Sequence, residues 1–212
     1  MLTSLSPLDG RYHQITSELA GYFSEYALIK YRVFIEIQYL KALRAIPLPQ
    51  LSSISDNADE ILDKIYMQMD QSAAEKIKAI EKITNHDVKA VEYYIKEKLD
   101  ENGLGKYREF VHFGLTSQDI NNTAFPLMMK DAIDKVMLPQ IHKIQDAIRE
   151  KSKEYKGIPM LARTHGQAAS PTTLGKEFAV FEERLEEEIS QLQKIVIKCK
   201  FGGATGNFNA HK

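Results

Sequence analysis

Three of the six histidines stand in segments suited to proton transfer on a small anion. His86 lies in Thr84-Asn85-His86-Asp87, just ahead of a helical stretch, where a neighbouring carboxylate tunes an imidazole across neutral pH. His112 precedes Gly114-Leu115-Thr116-Ser117-Gln118-Asp119, in which two hydroxyls and the free N–H groups of a helix start offer a seat for a carboxylate or phosphate. His165 lies in Arg163-Thr164-His165-Gly166: a guanidinium, a hydroxyl and an imidazole in succession, with a glycine that permits close backbone approach. Taken singly, each of these histidines suits a capping or structural role. Taken together, in loops set on helices, they describe acid–base chemistry on an anionic substrate. His142, beside Lys143 within a helical pattern, reads as exposed surface.

Other chemistries find no support in the spacing. The three loop histidines are 26 and 53 residues apart, and neither HExxH nor CxxC occurs, so no metal site is expected. No GxGxxG or GxxxxGK[ST] is present to cradle a dinucleotide or a nucleoside triphosphate. The one cysteine, Cys199, forms no internal disulfide and is placed on the last helix as a packing residue, which suits a reducing compartment.

The elements that must hold these segments are helical. From Ser17 to Arg44, Leu19, Phe23, Tyr26, Ile29, Val33, Ile37, Leu40 and Leu43 recur in steps of three and four until Pro47 and Pro49 intervene. Further helices are expected over Asp56–Met69, 72–83 and Asp87–Leu99, the last stopped by Asn102-Gly103. Thr116 or Ser117 caps a much longer helix reaching about Tyr155, with Asp119 in its first turn and a late start or bend at Pro126 or Pro139. Leu161 to Pro171 reads as a loop, and no strand alternation is convincing. The last helix carries Leu174, Phe178, Phe181, Leu185, Ile189, Leu192 and Ile195 as an apolar seam for a neighbouring helix. The fold class is all-α, with a small N-terminal helical domain over 1–111 and the opening helices of a long-helix bundle over 112–212.

Composition agrees with a soluble globular chain. Of 212 residues, 43% are hydrophobic and 27% charged, and 28 basic against 29 acidic side chains leave a formal net charge of −1. A chain that neutralises nucleic acid or an acidic membrane carries a positive excess, so neither partner is expected. No run of eighteen apolar residues suggests a membrane span, and the start MLTSLSPLDGRYHQ has no basic, apolar leader pattern. A cytoplasmic location is the expectation.

Six segments then carry a resemblance. DGRY (Asp9 to Tyr12), FSEYALIKYR (Phe23 to Arg32), TNHDVKAVEYY (Thr84 to Tyr94), FVHFGLTSQDINN (Phe110 to Asn122), RTHGQ (Arg163 to Gln167) and GATGNFNAH (Gly203 to His211) follow in this order. The chain closely resembles the adenylosuccinate lyase branch of the fumarase/aspartase superfamily, essentially from end to end. The resemblance implies cleavage of adenylosuccinate to AMP and fumarate, and of SAICAR to AICAR and fumarate, without metal or organic cofactor. It implies that His165 is the general acid on the leaving nitrogen and that Thr164 helps hold the succinyl part. Arg11 and Tyr12 match nucleotide-phosphate contacts, while Asn85, His86 and Asp87 match pocket residues. Thr116 and Ser117 match the pair that grips a carboxylate, and His112 matches a further pocket histidine.

Two departures accompany the likeness. Gln118 stands where relatives commonly carry an acidic residue. The SSxMPxKxN loop that supplies the family's serine base does not occur within the 212 residues, so the chain alone is expected to show no useful turnover. Family sites draw segments from three subunits of a homotetramer, which makes a homo-oligomer the expected assembly. Two other readings stand beside this one. Another fumarate-releasing lyase, such as argininosuccinate lyase or aspartase, would be indifferent to exchange of Arg11 or Tyr12. A non-catalytic helical interaction protein would tolerate separate loss of each loop histidine.

Overall fold

Ser24 sets the start of the first long helix. Its backbone is extended (φ −77°, ψ 163°) and its hydroxyl accepts the N–H of Ala27, so the chain enters α3, Glu25–Ala45, at that point. Before it stand only single turns, α1 (His13–Thr16) and α2 (Ala20–Phe23), so the helix begins a full cap later than the periodicity from Ser17 suggests. The computed structural model describes residues 5–55 and 57–211. Contacts divide them into two compact units, one formed by the described residues up to Lys130 together with those from Lys198 onward, the other by Asp131–Ile197.

In the first unit, α3 packs against α4 (Ala58–Met67), α5 (Gln71–Thr84) and α6 (Asp87–Glu101). Asp56, the expected start of α4, lies outside the described residues. Ile29, Val33, Ile37 and Leu40 of α3 meet Leu62, Ile77, Val91, Ile95 and Leu99 in one core, as the i, i+4 spacing requires. Asp70 caps α5 by accepting the Ala73 N–H at 2.9 Å. A 3-10 stretch, Gly105–Phe110, folds back on α6 and inserts Tyr107. The helix after Thr116 is α7, Ser117–Ala132.

The second unit is an antiparallel helix pair joined by a hairpin. A π-helical segment, Ile133–Met137, precedes α8 (Leu138–Glu154), which holds Pro139 in its first turn. Proline has no N–H to donate and its ring crowds the carbonyl four residues back; the wider π turn relieves both, so the disturbance sits at Pro139 while Pro126 stays inside α7. α9, Leu174–Gln193, runs back along α8: Arg149 bonds Glu182 at 2.8 Å, Gln145 bonds Glu186, and Tyr155 stacks near Phe178. Gly175 makes the near end possible, since a Cβ there would lie 2.5 Å from the backbone of Lys156. Of the apolar seam on α9, Ile189 is buried, Leu174, Phe178, Leu185 and Leu192 are half-buried, and Phe181 is exposed.

Two readings from sequence change here. The segment taken as a loop is a hairpin, β1 (Pro159–Thr164) against β2 (Gln167–Thr173), paired from Pro159↔Thr173 to Thr164↔Gln167 with a break between Leu161 and Arg163. Its faces are largely exposed, so nothing forces the apolar alternation that betrays a half-buried strand. Cys199 is not on the last helix. α9 ends at Gln193, and Cys199 follows it, exposed. The fold is all-α apart from the hairpin, and no helix among the described residues is long and apolar enough to cross a membrane.

Candidate active site

Asn85 and His86 form the corner between α5 and α6. Asn85 closes α5 in the left-handed region (φ 53°), which turns the chain sharply enough for His86 to begin the next helix. His86 is itself the cap: its Nδ1 accepts the N–H of Lys89 at 3.0 Å. That bond assigns the ring proton of the neutral imidazole to Nε2, which lies 3.4 Å from the Ser117 hydroxyl at the start of α7. Two segments 31 residues apart are thus brought side by side. Asn85, His86 and Asp87 line an open cleft of about 530 Å³ with Lys78, Glu81 and Lys82.

Asp87 is fixed from below by Arg32. Its Oδ1 accepts the N–H of Val88 at 2.8 Å, and its Oδ2 lies 2.6 Å from an Arg32 Nη. Partial burial pushes the Asp87 carboxyl up, but the Val88 amide and the Arg32 guanidinium outweigh it and hold it below the usual carboxylate range. Arg32 Nε also donates to Asn121 Oδ1 on α7 at 2.9 Å. One buried guanidinium therefore ties α3 to both helices that bear candidate residues.

His112 meets a buried carboxylate. Its backbone is left-handed (φ 60°), and its Nδ1 lies 2.5 Å from Glu36 Oε1 on α3. The Glu36 side chain is fully buried and its Oε2 has no partner among the described residues. Burial disfavours a charged His112, yet the hydrogen bond and charge of Glu36, with Glu92 behind it, outweigh that and raise the ring above the ordinary imidazole range. Glu92 is itself held between Lys89 (2.8 Å) and Lys96 (3.1 Å).

At the start of α7 the carboxylate of Asp119 does two tasks. It accepts the N–H of Thr116 at 3.0 Å, the reciprocal half of a capping box. It also accepts from Lys200 Nζ (2.7 Å) and from the amides of Gly202 (2.9 Å) and Gly203 (3.1 Å), which pins the glycine-rich segment against the helix. Burial would raise the Asp119 carboxyl, but Lys200 and these amides lower it. The rest of that segment packs on the same corner: a Cβ at Gly114 would meet Ala210 and His211 at 3.3 Å, and the Phe201 ring lies 5.8 Å from Tyr39. Asp119 thus joins the Thr116 backbone, three positions before it, to the amide of Gly203, 84 positions after it.

His165 and Gly166 are the two central residues of the β1–β2 turn, with φ of 52° and 74°. Positive φ at both positions is the signature of a type I′ turn, whose twist matches the strands it joins. The imidazole therefore stands at the tip of a hairpin beside exposed Arg163, Thr164 and Gln167. Arg11 and Tyr12 lie near the chain start, both exposed, with the guanidinium 5.5 Å from the Tyr12 ring centre. Within the first unit the folding joins His86 to Ser117, Asp87 to Arg32 and His112 to Glu36; no hydrogen bond or ion pair among the described residues links Arg11 or Tyr12 to them. Arg32, Glu36, Asn121, Asp119 and Lys200 were not singled out from sequence as site residues. Three of them leave a trace there: Asp119 was read as the first-turn carboxylate of its helix, and Arg32 and Glu36 are charged residues four apart inside the apolar stripe of Ile29, Val33, Ile37 and Leu40. His142 is exposed as expected, with its Nδ1 3.1 Å from Gln145 Oε1 on the next turn. No group of three potential metal ligands occurs among the described residues.

Known proteins are similar to this chain. A family model described as a lyase matches residues 10–212. The chain is similar to an adenylosuccinate lyase of Dictyostelium discoideum, at 54% identity over all of this chain and 47% of that protein. It is also similar to an adenylosuccinate lyase of Vibrio cholerae, at 47% identity over 99% of this chain and 46% of that one. The chain spans about half the length of the curated relatives it matches. A solved fumarate lyase from Mesorhizobium superposes with a TM-score of 0.71 over 92% of this chain and 44% of the other, at 23% identity, which is a likeness of fold. With nearly every residue inside the family match, the chain belongs to the lyase family.

Proposed function

We propose that this chain supplies the N-terminal half of an adenylosuccinate lyase, which eliminates fumarate from adenylosuccinate to give AMP and from SAICAR to give AICAR. The observation that carries the reading is the match from end to end with relatives of that name. In the reaction a base supplied by the rest of the enzyme, the serine of the family's loop, takes the proton from the carbon beside a carboxylate. The C–H electron pair forms the C=C bond, the C–N bond opens, and the leaving nitrogen takes a proton from an acid. His165 donates that proton, a contribution of roughly 10²–10⁴-fold for a positioned acid. The carboxylate next to the lost proton accumulates charge, and Thr116 and Ser117 grip it; each such donor is worth about 3 kcal/mol in acyl-transfer sites of the same logic. Thr164 holds the succinyl part, Arg11 and Tyr12 the phosphate, and Asn85, His86, Asp87 and His112 the rest of the pocket. The division into an N-terminal domain over 1–111 and a bundle from 112 belongs to the same reading, as do a cytosolic homotetramer and a site that needs no cofactor.

A chimera tests it. Residues 1–212 replace the matching half of the Dictyostelium relative, at 54% identity, and fumarate release is followed with adenylosuccinate, SAICAR, argininosuccinate and aspartate as substrates. Release from the two succinyl-purines alone is expected, with Arg11→Ala raising KM for both. A folded chimera that leaves them intact, or that prefers an amino-acid substrate, overturns the reading.

A further inference from the structure

Glu36 is an unusual occupant of a helix core. It lies on the face of α3 that buries Val33, Ile37 and Leu40, its side chain is fully removed from water, and one of its oxygens has no partner among the described residues. A carboxylate in that position is costly unless a cation faces it. The group that does so is the ring of His112, 76 residues away, with Nδ1 at 2.5 Å.

We propose that Glu36 is a positioning residue, which takes the Nδ1–H of His112 and so holds that ring as an imidazolium with Nε2–H as its one remaining donor for an anionic group of the ligand. The identity of that ligand, a succinyl-purine carboxylate or phosphate, rests on the proposed lyase function; the positioning itself does not.

Three further features fit this assignment. His112 adopts a left-handed backbone (φ 60°), an uncommon conformation for a residue with a side chain, at the place where its ring reaches Glu36. Among the described residues, Glu92 is already paired with Lys89 and Lys96, and Glu109 with Lys96 and Arg108, which leaves the ring of His112 as the cation that faces Glu36. Tyr39, which feels the charge of Glu36, is kept neutral: burial first, then Glu36 and Asp119, push its hydroxyl up. Finally, the His86 ring works in the opposite sense. Its Nδ1 accepts from Lys89, so the neighbouring candidate imidazole is fixed by a backbone donor while His112 is fixed by a carboxylate. Each ring is thus left with Nε2–H, prepared by different means.

Ring ¹⁵N NMR of the 212-residue chain tests the assignment. In the wild type, His112 is expected to titrate above the ordinary imidazole value of about 6.5, with Nδ1 protonated throughout. Glu36→Gln lowers its midpoint by about one pH unit or more, the usual scale for loss of an adjacent charge, and Glu36→Asp restores part of the shift. A His112 midpoint at or below that ordinary value, or unchanged in Glu36→Gln, overturns the proposal. Amide spectra report whether Glu36→Gln folds; if it does not, the wild-type titration and the Nδ1 protonation state decide alone. Fumarate added to the wild type reads the lyase function separately, since a ring shift there concerns ligand binding and leaves the Glu36 titration result as it stands.

Discussion

At His165 the requirements of the backbone and of the chemistry pull apart. The type I′ turn favours Asn-Gly, whereas the chain carries His165-Gly166 with φ of 52° at the histidine. His165→Asn should therefore leave the hairpin at least as stable, by urea unfolding, while the chimera loses about 10²–10⁴-fold in kcat. Retained activity would remove His165 from the role of acid. His112 makes a prediction about pH. Its folded pKa lies above the unfolded value of about 6.5, so the folded state holds this proton more tightly. That stabilisation is complete below about 6.5 and is lost as pH rises through the folded midpoint. The unfolding free energy of the chain should fall over that window, and His112→Asn should flatten the slope. A wild-type stability that rises across the same window would contradict the pairing with Glu36.

Among the elements, the caps are local and the close approaches are not. Ser24, Asp70 and His86 start their helices through bonds to residues three positions ahead, and each can be read from a short string. The α8–α9 pair depends instead on one glycine against another helix's end. The Gly175 N–H donates to the Tyr155 carbonyl at 3.0 Å, and a Cβ at this position would press on the backbone of Lys156, which no rotamer change relieves. Gly175→Ala is thus expected to destabilise the chain by about 1–3 kcal/mol in denaturant titrations. An unchanged midpoint would mean that the two helices separate without cost at that end.

For the molecule as a whole, exposed apolar side chains are the main physical tension. In the unit from Asp131 to Ile197, Ile144, Leu161, Phe181 and Ile195 are each more than half exposed. Large apolar surface of this kind marks an interaction face. Self-association at micromolar concentration is expected in analytical ultracentrifugation, and Phe181→Glu with Ile144→Glu should weaken it. A well-behaved monomer would count against the bundle reading.

The residues that announce chemistry lie in short strings whose meaning is local. TNHD, TSQD and RTHG reveal their types, and the helical periodicity and caps around them follow from bonds that span three or four positions. What those side chains can do was decided elsewhere, by packing. Glu36 reaches His112 across 76 residues, Arg32 reaches Asn121 across 89, and Gly203 reaches Asp119 across 84. No local pattern encodes such pairs, because each forms only when segments far apart in the chain are packed side by side. The hairpin was hidden for a related reason: with both faces largely exposed, its strands bury too little to impose an alternating pattern, and only the backbone pairing of Pro159–Thr164 with Gln167–Thr173 defines it.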